Sequence, residues 1–152
     1  MLAPSILITD DDRDFRETLR GVFEPEGFHT LLACAGDEAL DIVRRQDVHL
    51  LLLDMHMPRL TGLETLRLVK QFKSRLPCIL LSANADQTLV EQARLADAFS
   101  FLSKPVSRRE ITSTVRLALH RTYNWPLDHL LGEPGEPLPP LPPGDAEPRK
   151  NS

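Results

Sequence analysis

Asp10-Asp11-Asp12, Asp54, Ser82 and Lys104-Pro105 each stand at or just past the end of a short, largely apolar run. A carboxylate can attack phosphorus and become an aspartyl-phosphate. The charge on a transferring phosphoryl group is held by a metal ion, by Lys and by hydroxyl or amide donors. Asp54, Lys104 and Ser82 supply one of each protein part. Carboxylates gathered at one place repel one another: at about 4 Å and an effective dielectric of about 20, one pair costs about 4 kcal/mol. A cation relieves that repulsion. All-oxygen ligation favours a hard ion such as Mg²⁺, with Mn²⁺ as an alternative.

These residues can meet only if the chain folds so that the ends of its apolar runs share an edge. Ser5–Thr9, His29–Ala33, Val48–Leu53, Pro77–Leu81 and Phe99–Leu102 read as short strands. Helical periodicity alternates with them. Phe15, Leu19, Val22 and Phe23 define one face of a helix over Asp12–Phe23. Ala39, Leu40 and Val43 turn inward on a second helix, which opens near Asp37 and runs to about Arg45. A loop with Pro58 and Gly62 leads to a third helix ending near Lys73, and Asp86–Ala96 is a fourth. Ser107 and Glu110 fit a capping box opening a fifth helix, with Ile111, Val115, Ala118 and Leu119 inward. Five strand–helix pairs predict an α/β, doubly wound parallel sheet with helices on both faces. Such sheets bind ligands at the carboxyl ends of their strands. The third run, Leu50–Leu53, is apolar throughout, as a fully buried central strand would be.

The chain has 152 residues, one domain plus a tail by length. Eight of its 13 prolines fall in Pro126–Pro148. Residues 1–125 therefore read as the folded domain. Residues 126–152 read as a Pro-rich tail, disordered or polyproline II, with the leucines of Pro126–Leu131 able to pack back. Acids and bases nearly balance in residues 1–125, so composition gives no electrostatic case for direct nucleic-acid binding. No apolar stretch approaches the roughly 20 residues of a membrane span, and no signal-peptide pattern opens the chain. A cytoplasmic location is expected. Cys34 and Cys78 sit beside apolar residues and read as two reduced core thiols. His29, His49, His120 and His129 show no metal-ligand spacing, and Tyr123 and Trp125 are expected to anchor the end of the fifth helix.

The segments ILITDDD, LLLLDMHMPRLTG, ILLSA and FLSKP resemble the signature segments of response-regulator receiver domains of the CheY-like kind, in order and at matching spacing. The match covers about residues 5–120. The resemblance implies a flavodoxin-like (βα)5 sandwich with strand order 2-1-3-4-5. It implies a signalling switch rather than an enzyme, with Asp54 as phosphoacceptor. Asp10, Asp11, Asp54 and the backbone carbonyl of His56 match the Mg²⁺ ligands. Ser82 matches the hydroxyl that contacts the phosphoryl group, and Ala83 the small residue that leaves room for it. Lys104 matches the phosphate-pairing lysine, whose bond to Pro105 is usually cis, and Phe101 the aromatic that turns inward on activation. His56 and Asn84 occupy the two variable positions that tune loss of phosphate. One departure stands out: the usual Gly-Ala before the fifth strand reads Ala96-Asp97-Ala98-Phe99 here.

The implied phosphodonor is a sensor histidine kinase or histidine phosphotransfer protein in a two-component phosphorelay. The implied output is a protein partner, with neither nucleic acid nor membrane contacted directly. The surface of the fourth helix, fifth strand and fifth helix is the candidate partner or homodimer face. Leu89, Val90, Ala93, Arg94, Arg108, Thr112 and Arg116 are its expected members. Two other readings stay open: an interaction adaptor whose Pro-rich tail recruits a partner, and the receiver part of a larger regulator.

Overall fold

The computed structural model describes residues 3–125, so the expectations for the Pro-rich tail, and for His129, lie outside it. Five strands alternate with five helices: β1 (Ser5–Thr9), α1 (Arg13–Phe23), β2 (His29–Ala33), α2 (Gly36–Arg45), β3 (Leu50–Asp54), α3 (Gly62–Phe72), β4 (Cys78–Ser82), α4 (Gln87–Leu95), β5 (Ser100–Ser103) and α5 (Arg108–Tyr123). A 3₁₀ turn, Glu24–Glu26, follows α1. All strand pairs are parallel, in the order β2-β1-β3-β4-β5.

Side chains alternate across a strand, so each central strand feeds two cores. Ile6, Ile8, Leu50, Leu52, Ile79 and Leu81 face α1 and α5 and pack with Leu19, Phe23, Ile111, Val115 and Leu119. Leu7, Leu51, Leu53, Cys78 and Leu80 face the other layer, against Ala39, Val43, Leu66, Val69 and Ala93. β3 and β4 are buried at every position, which is why their sequences show runs rather than alternation.

Local chemistry sets the helix ends. The Asp12 carboxylate accepts from the Asp14 and Phe15 amides at 3.0 and 3.4 Å and starts α1 just past the acidic cluster. Ser107 accepts from the Glu110 amide at 3.0 Å. The reciprocal capping box belongs instead to Thr61 and Glu64, at the start of α3. Asp97 leaves α4 with φ +69°, the left-handed conformation glycine favours.

The end of α5 is fastened to the amino-terminal edge of the sheet. Tyr123 and Trp125 stack at 4.7 Å, and the Tyr123 hydroxyl donates to the His49 carbonyl at 2.8 Å. The Ser5 amide donates to His49 Nδ1 at 2.8 Å. One expectation needs correction. Cys78 is buried, and burial pushes its thiol up to about 12, but Cys34 is exposed. Ala33 and Ala35 point inward on either side of it, so the alternation of an extended chain turns Cys34 to solvent. No helix among the described residues is long and apolar enough to cross a membrane.

Candidate functional site

The topology carries Asp10, Asp54, Ser82 and Lys104 to the carboxyl edge of the sheet, where Asp54 and Ser82 end β3 and β4 and Asp10 and Lys104 directly follow β1 and β5. The Asp10 amide donates to the Ala33 carbonyl at 3.1 Å, which extends the β1–β2 pairing by one residue. Asp54 ends β3, in register with Leu81, and the next amide, of Met55, donates to the Leu81 carbonyl at 2.8 Å. Gly62 then permits a close backbone approach: a Cβ there would lie 2.2 Å from the Asp54 carbonyl oxygen. Its amide donates to the Met55 carbonyl at 3.1 Å and closes the loop that carries His56.

Carboxylate oxygens of Asp10, Asp11 and Asp54 lie within 4.8 Å of one another. Asp10 and Asp54 are buried, 2% and 4% exposed, while Asp11 faces solvent. Asp12 is the cap of α1 and takes no part. Lys104 Nζ spans the cluster, 2.8 Å from Asp10 Oδ2 and 3.3 Å from Asp54 Oδ1. Its ammonium also sits over the Phe15 ring, 4.2 Å from the centroid. The Lys104–Pro105 peptide bond is cis.

Burial, then the charge of Asp10, pushes the Asp54 carboxyl above its ordinary range, although Lys104 and the His56 amide act in the opposite sense. Burial acts to lower the Lys104 value, but the hydrogen bond and charge of Asp10, joined by Asp54, outweigh it and hold the ammonium above its usual range. The cluster thus carries more negative charge than one lysine satisfies. Its donors are hard oxygens, with one exposed carboxylate at the mouth, which suits a divalent cation that keeps some of its water.

Ser82 is fully buried, and its Oγ meets His56 Nε2 at 3.0 Å. The His56 imidazole is otherwise exposed, as is Ala83. Phe101 is half-buried on β5, packed on the α2–α4 side. The structure therefore brings Asp10, Asp11, Asp54 and Lys104 together, with His56 and Ser82 bonded beside them. Three contacts escaped the sequence reading: Phe15 against Lys104, Gly62 against Asp54, and His56 against Ser82. A signal existed for one of them, since Gly62 follows a turn directly after the acidic strand end.

The expected partner face needs revision. Ala93 and Thr112 are buried, 1% and 4% exposed. Arg108 and Arg116 turn toward the other side of α5. Arg108 lies 3.9 Å from Glu26, and Arg116 forms an ion pair with the same carboxylate. Val90, Arg94 and Leu95 remain exposed on α4.

Fold and pocket together define a doubly wound parallel sheet with an acidic cluster and a lysine at its carboxyl edge. The model of the response regulator receiver domain matches residues 6–116, and the chain belongs to that family. It is 33% identical over 132 residues to the transcriptional regulatory protein CpxR of Escherichia coli K12, covering 87% of this chain and 56% of that protein. It is 33% identical over 116 residues to sporulation initiation phosphotransferase F of Bacillus subtilis, covering 76% of this chain and 94% of that one. A receiver domain protein from Methanospirillum hungatei shares the fold at TM-score 0.78 and 23% identity, over 81% of this chain and 98% of that one. The chain thus spans about half the length of CpxR and nearly all of the sporulation phosphotransferase.

Proposed function

We propose that this chain is a phosphorylation-dependent switch that accepts a phosphoryl group on Asp54 from a phosphohistidine donor. One observation carries the reading: Asp54 is buried at the end of the central strand, 3.3 Å from Lys104 and within one cluster with Asp10 and Asp11. A carboxylate oxygen of Asp54 attacks phosphorus, the P–N bond of the donor breaks, and the donor imidazole leaves with the electron pair. Lys104 shifts from Asp54 toward the incoming phosphoryl oxygens while keeping its bond to Asp10. The Ser82 hydroxyl and the backbone beside Ala83 supply further donors.

The cluster fits Mg²⁺, held by Asp10, Asp11, Asp54 and the His56 carbonyl, with Mn²⁺ as a substitute. Bound there, the ion would neutralise the carboxylates and supply Lewis-acid stabilisation of the phosphoryl charge. His56 and Asn84 flank the hydroxyl and control water access to the acyl phosphate, which sets its lifetime. The donor is a sensor histidine kinase or histidine phosphotransfer protein, and the output is a protein that reads the α4–β5 surface around Val90, Leu95 and Phe101. The chemistry belongs to the domain itself, so the chain promotes its own phosphorylation and dephosphorylation and turns over no separate substrate. Borohydride trapping tests the assignment. Reduction of an aspartyl-phosphate gives homoserine, and peptide mapping should find it at position 54; homoserine at another acid would move the acceptor.

A further inference from the structure

Ser82 Oγ makes three polar contacts: His56 Nε2 at 3.0 Å, the Asn84 carbonyl at 2.9 Å and the Asn84 amide at 3.0 Å. A hydroxyl has one proton and two acceptor sites. The Asn84 amide can only donate and the Asn84 carbonyl can only accept. All three contacts are therefore satisfied together when Ser82 donates to the carbonyl and His56 donates through Nε2–H. That arrangement fixes the imidazole tautomer and uses every valence of the hydroxyl. If Ser82 donated to His56 instead, its single proton would still be engaged.

The two partners of this bond differ in what they lose when it opens. Ser82 is fully buried and keeps only its two bonds to the Asn84 backbone, whereas the His56 ring is exposed and can turn to water. His56 lies two residues past Asp54, and Ser82 lies one past Leu81, the register partner of Asp54. The bond thus ties the loop after the acceptor to the end of the neighbouring strand.

We propose that the His56 imidazole is a restraint on the Ser82 hydroxyl, holding it in the unphosphorylated arrangement. To give its proton to a phosphoryl group on Asp54, the Ser82 hydroxyl has to turn away from the Asn84 carbonyl, and the His56 bond opposes any movement of Oγ toward the phosphoryl group. His56 is then a positioning residue that acts through Ser82, separately from any effect on water access. The proposal rests on the reading of Asp54 as phosphoacceptor.

The test is a calorimetric titration of the full chain with beryllofluoride, a phosphoryl mimic, at saturating Mg²⁺ for each variant. His56→Leu keeps bulk and removes the donor; His56→Gln returns an amide at similar reach. The leucine variant should bind about two- to tenfold tighter, the range expected for losing one net hydrogen bond. The glutamine variant should fall back toward wild type. In a Ser82→Ala background, His56→Leu should change nothing. Imidazole ¹⁵N shifts should report the Nε2–H tautomer in wild type and lose that preference in Ser82→Ala. Unchanged or weaker binding in His56→Leu, or the same gain without the Ser82 hydroxyl, overturns the restraint alone. A wild type that takes no beryllofluoride overturns the Asp54 reading, and the restraint with it.

Discussion

Lys104 rests its ammonium on the face of Phe15, 4.2 Å from the ring centroid, while the same Nζ reaches Asp10 Oδ2 at 2.8 Å. The ring replaces water on one side of the charge and leaves its hydrogen bonds directed at the carboxylates. A cation–π contact of this kind contributes about 0.5–1 kcal/mol when partly exposed. Phe15→Leu should therefore slow phosphorylation by acetyl phosphate about two- to fivefold, and Phe15→Tyr should not. Single-turnover rates at fixed Mg²⁺ check this, and equal rates for all three proteins would remove the ring from the mechanism.

Asp54 sets a stability cost in the metal-free protein. Burial and Asp10 raise its pKa in the fold above the unfolded value. Ionisation then opposes folding: stability falls as pH rises from the unfolded value through the raised folded one, and the whole cost is present above the folded value. Asp54→Asn removes it. In chelator at pH 7 the variant should melt a few degrees higher, about 1 kcal/mol for a domain of this size. Added Mg²⁺ should stabilise wild type by about 2.7 kcal/mol at a hundredfold excess over Kd, and the variant clearly less. Calorimetry with and without Mg²⁺ measures both.

Lys104 titrates with the opposite sign. Its pKa is raised in the fold, so its contribution is complete below the unfolded value and is lost as pH climbs through the folded one. Wild type should lose stability in alkaline solution more steeply than Lys104→Met. Denaturant midpoints across that range test this, and parallel curves would contradict it.

Gly62 has no room for a side chain, because a Cβ would meet the Asp54 carbonyl and Met55 Cα at 2.2 and 2.9 Å. Gly62→Ala must push back the strand end that holds the acceptor. The expected loss is about 1–3 kcal/mol of stability, with weakened Mg²⁺ binding. Denaturant unfolding and metal titration of one variant check both effects.

Asp97→Gly should act the other way. Asp97 holds φ +69° on an exposed turn, a conformation that disfavours a side chain by about 1 kcal/mol. Its ammonium neighbour, Lys70, stands 3.9 Å away and is anchored to the Ser74 and Leu76 carbonyls, so little is lost with the carboxylate. The midpoint of denaturant unfolding should rise with unchanged slope.

The parallel alternation and the gathering of Asp10, Asp54, Ser82 and Lys104 at one edge were legible in the residues, and the strand order in the resemblance to receiver domains. Parallel alternation brings the ends of apolar runs onto one edge, and the continuous run Leu50–Leu53 is the pattern of a strand buried on both faces. Side-chain direction was less legible. The apolar neighbours of Cys34 suggest a core thiol, but the alternation of Ala33, Cys34 and Ala35 turns it outward. Arg108, Thr112 and Arg116 share one helical stripe, but which layer that stripe meets depends on the Glu26 carboxylate of a distant turn. The contacts of His56 with Ser82 and of Phe15 with Lys104 join residues far apart in the chain, and no local pattern encodes them.

The central claim is phosphoryl transfer to Asp54, and intact-mass analysis after incubation with acetyl phosphate tests it most directly. Wild type and Asp54→Asn are compared with and without Mg²⁺. The account predicts a gain of one phosphoryl group in wild type with Mg²⁺ and none in the other three samples. An equal gain in Asp54→Asn, or a gain independent of Mg²⁺, would contradict it.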